Sequence, residues 1–194
     1  MNFRQILTAP NQLTLLRIIF VPFIVINLVK HDFTWALALF VLAGVSDGLD
    51  GLLARTLHQQ TLLGQYLDPI ADKMLLSTMF LVLSIEQRAL VPWKYTILVF
   101  SRDVSILLLG GVLYMIAGLR DFRPSIFGKA NTFAQLGTIF FVLLLLVKPM
   151  ALIDVAAKIF LRATFLFTVV SAVHYALLVQ HRLHLPPAPP TAEP

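Results

Sequence analysis

Residues 33–85 read FTWALALFVLAGVSDGLDGLLARTLHQQTLLGQYLDPIADKMLLSTMFLVLSI. Two apolar runs flank a polar middle, about Phe33–Leu53 and Tyr66–Ile85. Each approaches the roughly 20 residues that a helix needs to cross a bilayer core. The polar stretch Arg55–Gln60 reads as a turn that folds the two helices antiparallel. Of the ten acidic residues in the chain, four fall here: Asp47, Asp50, Asp68 and Asp72. Asp47 and Asp50 are three apart and share one helix face, as do Asp68 and Asp72, four apart. The turn therefore predicts two acidic pairs meeting at one membrane surface.

The rest of the chain repeats the apolar pattern. Further segments are predicted at about Leu13–Val29, Leu90–Ile116 and Lys129–Val147. A sixth ends near Val179, and its start falls between Leu152 and Phe160, where Asp154, Lys158 and Arg162 interrupt the run. Hydrophobic residues make up 58% of the 194, charged residues 13%, and the mean hydropathy is +0.84. A soluble domain carries about 25% charged residues, so the apolar surplus must face lipid. The expected fold is all-α, a polytopic membrane protein with six transmembrane helices over residues 1–184. Residues 1–8 read as a short interfacial helix, and 185–194 as a proline-rich disordered tail. Gly110, Gly111 and Gly137, inside apolar runs, read as points of close helix packing.

The formal charge of +5 is that of a membrane protein whose Lys and Arg sit near anionic headgroups, and it gives no reason to expect nucleic acid as a partner. The chain has no cysteine, which excludes a disulfide frame, a thiolate metal site and a cysteine nucleophile. The five histidines show no metal-ligand spacing near the acidic cluster, and His58, in the turn, reads as solvated.

Charged residues inside spanning helices mark candidate functional sites. Four converging carboxylates repel one another, and either protonation or divalent cations would relieve this. Oxygen donors of this kind suit Mg²⁺ or Mn²⁺; proton-coupled transporters also use membrane carboxylates. Gly51, Ala54 and Gly64 are small, and Arg55 adds a cation. That combination points to a pyrophosphate-bearing ligand more than to a proton.

Asp47, two residues, Asp50-Gly51, two residues, Ala54-Arg55, eight residues, Gly64, three residues, Asp68, three residues and Asp72 together resemble the signature of the CDP-alcohol phosphatidyltransferase family, with all eight fixed positions present. The resemblance implies that Asp47, Asp50, Asp68 and Asp72 hold two divalent cations, Mg²⁺ or Mn²⁺, with Asp72 also the catalytic base. It implies that Asp47, Gly51, Ala54, Arg55, Gly64 and Asp68 line the CDP pocket. The reaction would be attack of an alcohol hydroxyl on the β-phosphorus of a CDP-linked lipid, with release of CMP. A homodimer is implied in the same way.

The acceptor is read from further residues. Asn11-Gln12-Leu13-Thr14, Arg17 and Pro22 resemble the opening of the phosphatidylglycerophosphate and cardiolipin synthase branch; otherwise, Asn11 or Thr14 caps a helix and Arg17 snorkels to the interface. Arg102-Asp103 is either a structural ion pair or an acceptor-phosphate site. Lys129, at a helix N-terminus, is a second acceptor-phosphate candidate. The expected donor is CDP-diacylglycerol and the expected acceptor glycerol 3-phosphate, with phosphatidylglycerol the alternative. The expected location is a bacterial inner membrane with the site on the cytoplasmic side. A proton-coupled transporter and a non-catalytic scaffold are the rival classes.

Overall fold

The computed structural model describes residues 9–56, 62–117 and 126–183, without the side chains of 9–15, 47–56, 62–70, 107, 109–117, 178–179 and 181–183. Six α-helices occupy the described residues: α1 (Ala9–Val29), α2 (Phe33–Thr56), α3 (Leu62–Glu86), α4 (Trp93–Ala117), α5 (Ile126–Val147) and α6 (Ala151–Leu183). The expected interfacial segment at 1–8 and the tail at 185–194 lie outside the described residues.

Five of the helices are longer than hydropathy alone predicts, whereas α4 starts three residues later than expected. α1 begins at Ala9 with Pro10 in its first turn, where proline's fixed φ and missing N–H suit a helix start. Asn11 and Thr14 are therefore inside the helix and do not cap it. α6 begins at Ala151 because its charges compensate one another. Asp154 lies in the first turn, favourable to the helix dipole, and accepts a 2.6 Å ion pair from Lys158 four residues on. α4 starts at Trp93, after Pro92 has closed the preceding turn.

α1 and α2 form a hairpin through three residues. The amide of His31 donates to the Leu28 carbonyl, and that of Asp32 to Asn27, the bonding pattern of a Schellman cap. His31 takes the left-handed conformation there, φ 61°, which glycine usually supplies. The carbonyl of Asp32 then accepts from the Ala36 amide and starts α2.

Side-chain pairs fix the remaining directions. Ser84 with Thr96 and Lys73 with Asp103 make α3 and α4 antiparallel. Tyr95 with Phe165 and Arg102 with Ser171 make α4 and α6 parallel. Phe127 with His174, Asn131 with Thr168 and Thr138 with Thr164 make α5 and α6 antiparallel. Gly137 lets α6 come close to α5: a Cβ there would collide with the Phe160 ring. The apolar core gathers Ile24 and Leu28 from α1, Ala36 and Phe40 from α2, and Leu76, Met79 and Phe80 from α3.

The outward surface is apolar too. Trp35, Ile97, Leu108, Phe133, Leu152 and Leu177 are all exposed. Among the described residues, α5 is the helix long and apolar enough to cross a membrane by length and composition, with shorter apolar stretches at Leu16–Val29 and Phe33–Ser46.

Candidate active site

The helical backbone carries the acidic pairs as their spacing requires. Asp47 and Asp50 lie in the second half of α2, and Asp68 and Asp72 in the first half of α3. Five residues join the two helices, so the end of α2 and the start of α3 lie within roughly 20 Å of each other. Arg55 belongs to α2 and Gly64 to α3, so neither lies in the connecting turn. The side chains of Asp47, Asp50, Ala54, Arg55 and Asp68 are outside the described set; that of Asp72 is half-buried. Among the described residues no cluster of three metal-ligating side chains occurs. The donor set nevertheless suits a hard divalent cation. α2 and α3 run unbroken through both pairs, so the i,i+3 and i,i+4 positions each share one helix face.

Beside Asp72 stands a charged network that the sequence does not announce. Lys73 Nζ on α3 reaches both carboxylate oxygens of Asp103 on α4, at 2.9 Å each. Asp103 Oδ1 also accepts from Arg102 Nη1 at 2.7 Å, and Arg102 Nη2 donates to Ser171 Oγ on α6 at 2.7 Å. The Arg102 guanidinium lies 6.0 Å from the Tyr175 ring. Arg102 and Asp103 are buried, and Lys73 is partly open. One carboxylate between two cations thus ties α3 to α4 at the depth of Asp72, and the Arg102–Ser171 bond adds α6. Of the two readings of Arg102-Asp103, the ion pair is observed, and it belongs to a network next to the expected base.

A groove of about 570 Å³ runs between α3 and α4 from this network. Lys73, Arg102 and Asp103 form its charged end, and Met74, Leu81 and Phe100 line its apolar length. Lys129 lies in the first turn of α5 and is exposed; no contact joins it to Arg102. Arg17 does not snorkel to an interface: it is buried, at 1% exposure, on α1. His174 packs its ring against Phe127 and Tyr175, as expected for a packing residue.

Three residues of the site region escape a linear reading: Lys73, Ser171 and Gln135. Lys73 could have been found as a charge following the last signature aspartate in an otherwise apolar helix. Gln135 belongs to a polar stripe, Asn131, Gln135 and Thr138, at i, i+4 and i+7 on α5, and all three are buried.

An all-helical bundle with an apolar exterior, four aspartates on two successive helices and a buried cation in its interior fits an enzyme that works on charged substrates at a lipid surface. The chain belongs to the CDP-alcohol phosphatidyltransferase family, whose sequence model matches residues 7–174. It is 39% identical over 109 residues to human "Cardiolipin synthase (CMP-forming)", covering 56% of this chain and 35% of that one. A Streptomyces coelicolor protein of the same name is 35% identical over 136 residues, 66% of this chain and 61% of its own length. "Probable phosphatidylglycerophosphate synthase" of Mycobacterium tuberculosis is 34% identical over 180 residues, 88% of this chain and 81% of that protein. Two mycobacterial relatives matched over 132 residues are likewise spanned over 61% of their length.

Proposed function

We propose that this chain is a multi-pass membrane enzyme that moves the phosphatidyl group of CDP-diacylglycerol to a glycerol-phosphate alcohol, releasing CMP. The observation that carries this reading is the eight-position signature from Asp47 to Asp72 on two continuous helices, with the Lys73–Asp103–Arg102 network beside its last aspartate. The apolar exterior and six helices support six spans. By resemblance, Asp47, Asp50, Asp68 and Asp72 would hold two divalent cations, Mg²⁺ or Mn²⁺. Bound there, the cations offset charge on the pyrophosphate and on the departing CMP.

The chain's own groups account for the rest. Gly51, Ala54 and Gly64 leave room for the nucleotide, and Arg55 adds a positive charge near its phosphates. Asp72 takes the proton from the acceptor hydroxyl as the new P–O bond forms and the bond to CMP breaks. Arg102, held by Asp103 and Ser171, is oriented to receive an acceptor phosphate, and Lys129 supplies a second charge at the helix start.

Phosphatidylglycerol stands ahead of glycerol 3-phosphate as acceptor, the reverse of the order expected from sequence. The groove running from Arg102 and Lys73 along apolar side chains suits an acceptor whose phosphate carries acyl chains. The human and Streptomyces relatives are named cardiolipin synthases. Glycerol 3-phosphate is kept because the relative covering 88% of this chain is named a phosphatidylglycerophosphate synthase. The deciding experiment measures CMP release by purified protein with CDP-diacylglycerol and Mg²⁺ or Mn²⁺, offering each acceptor separately. Release with phosphatidylglycerol alone supports the first acceptor, and release with glycerol 3-phosphate alone supports the second. Divalent-independent function would instead favour a proton-coupled transporter.

A further inference from the structure

Arg102, Asn131 and Gln135 leave buried polar atoms without partners. Asn131 Oδ1 accepts a 2.8 Å bond from Thr168, but its Nδ2 has no partner. Neither Oε1 nor Nε2 of Gln135 has one, and Arg102 Nε is also unmatched. Asn131 and Gln135 are both at 0% exposure. Such groups carry the full desolvation penalty without a compensating bond, and in lipid no water from outside relieves it. A helix whose only task was packing would place leucine there.

The bonds around these atoms locate them. Thr168, which holds Asn131, lies one turn of α6 from Ser171, which holds Arg102. Gln135 lies one turn further along α5, before the Thr138–Thr164 pair. The orphans on α5 therefore run from the level of the Arg102 network along the face that α5 turns to α6. Their chemistry is lopsided. Asn131 Nδ2, Gln135 Nε2 and Arg102 Nε are donors, and only Gln135 Oε1 accepts. The complementary group accepts several hydrogen bonds and donates one, which describes an alcohol hydroxyl beside a phosphate.

We propose that Asn131 and Gln135 form the polyol part of the acceptor subsite, their amides gripping glycerol hydroxyls of the acceptor while Arg102 faces its phosphate. This rests on the acceptor reading above and adds two binding residues to it. The amides stay unpartnered until the acceptor enters, so the cost of burying them is recovered in acceptor binding.

The test exploits that cost. Gln135→Met keeps the shape and removes the unmatched amide, so the full-length variant should fold at least as stably as wild type. In purified protein, wild type should gain thermal stability on adding glycerol 3-phosphate or a short-chain phosphatidylglycerol, and Gln135→Met should gain little. KM for the acceptor should rise about tenfold or more, the loss of roughly one well-made buried hydrogen bond, with KM for CDP-diacylglycerol unchanged. Asn131→Asp, which keeps the oxygen that accepts from Thr168 but exchanges the donors for a second oxygen, should raise the acceptor KM in the same way. An acceptor KM and an acceptor-induced stabilisation that both survive in Gln135→Met would overturn the proposal. CMP release that depends on some other alcohol would sink the glycerol-phosphate reading instead; an unchanged KM for that alcohol in Gln135→Met would overturn this one.

Discussion

Lys73 and Asp103, thirty residues apart, meet across α3 and α4 through two 2.9 Å contacts, and the same carboxylate accepts Arg102 at 2.7 Å. One anion thus answers two cations, and the cations differ in burial. The Arg102 side chain is 7% exposed and that of Lys73 is 34% exposed. Water can solvate Lys73 if its partner is lost, but cannot reach Arg102.

That asymmetry sets the first prediction. Asp103→Ala leaves Arg102 buried with no counter-charge, which costs on the order of 3 kcal/mol or more. Lys73→Met leaves Asp103 still paired with Arg102, and the exposed half of the bridge contributes under about 1 kcal/mol. Thermal unfolding in one detergent should show a large fall in Tm for Asp103→Ala and a small one for Lys73→Met. Equal falls would mean that the two cations share the carboxylate evenly.

The contrast between α2–α3 and the rest of the site shows what a linear sequence can carry. The eight signature positions were legible because their meaning lies in spacing along two adjacent helices, and helix periodicity converts spacing into shared faces. The Lys73–Asp103 pair was not legible, because it depends on the antiparallel register of α3 against α4. Gln135 was not legible either, because its burial depends on how α5 packs in the bundle. The start of α6 was obscured because Asp154 and Lys158 each count against a spanning helix when scored singly. Paired at i,i+4, they cancel. Arg17 was read either as part of the opening motif of the synthase branch or as snorkelling to an interface, and the packing of α1 buries it, which removes the second reading.

Gly137 sits where the ring of Phe160 crosses α5, with no room for a Cβ. Gly137→Ala should therefore destabilise the protein by about 1–3 kcal/mol through overpacking, although alanine is the better helix former. Adding Phe160→Ala to Gly137→Ala should recover part of that loss. A double-mutant cycle read by thermal unfolding checks it; strict additivity would show that the ring moves aside freely.

Ser84 and Thr96 share a short hydrogen bond between α3 and α4, and Thr96 also donates to the Phe80 carbonyl at 3.1 Å. Both hydroxyls are buried, near the C-terminus of α3 and the N-terminus of α4, roughly two to three helical turns from Lys73 and Asp103. Interhelical bonds of this kind in lipid contribute about 0.6 kcal/mol on average. Thr96→Val should lower stability by about that amount and leave the kinetics of CMP release unchanged. A change in KM for either substrate would show that packing at this end reaches the site.

Asp72 is assigned two duties, cation ligand and base, and they respond differently to added metal. It lies one helical turn after Asp68 and directly before Lys73, half-buried at the depth of the Arg102 network. Asp72→Asn retains an oxygen that can face a cation but removes the proton acceptor. Were ligation its whole role, raising Mg²⁺ or Mn²⁺ would restore turnover to near wild type. Loss of a base instead lowers kcat by roughly 10²–10⁴-fold and persists at saturating cation. CMP release by Asp72→Asn, titrated with each metal beside Asp50→Asn, separates the two. A deficit in Asp72→Asn that saturating metal does not repair, against partial repair in Asp50→Asn, is the expected result. Full repair in both would remove Asp72 from the role of base and leave the hydroxyl proton to another group.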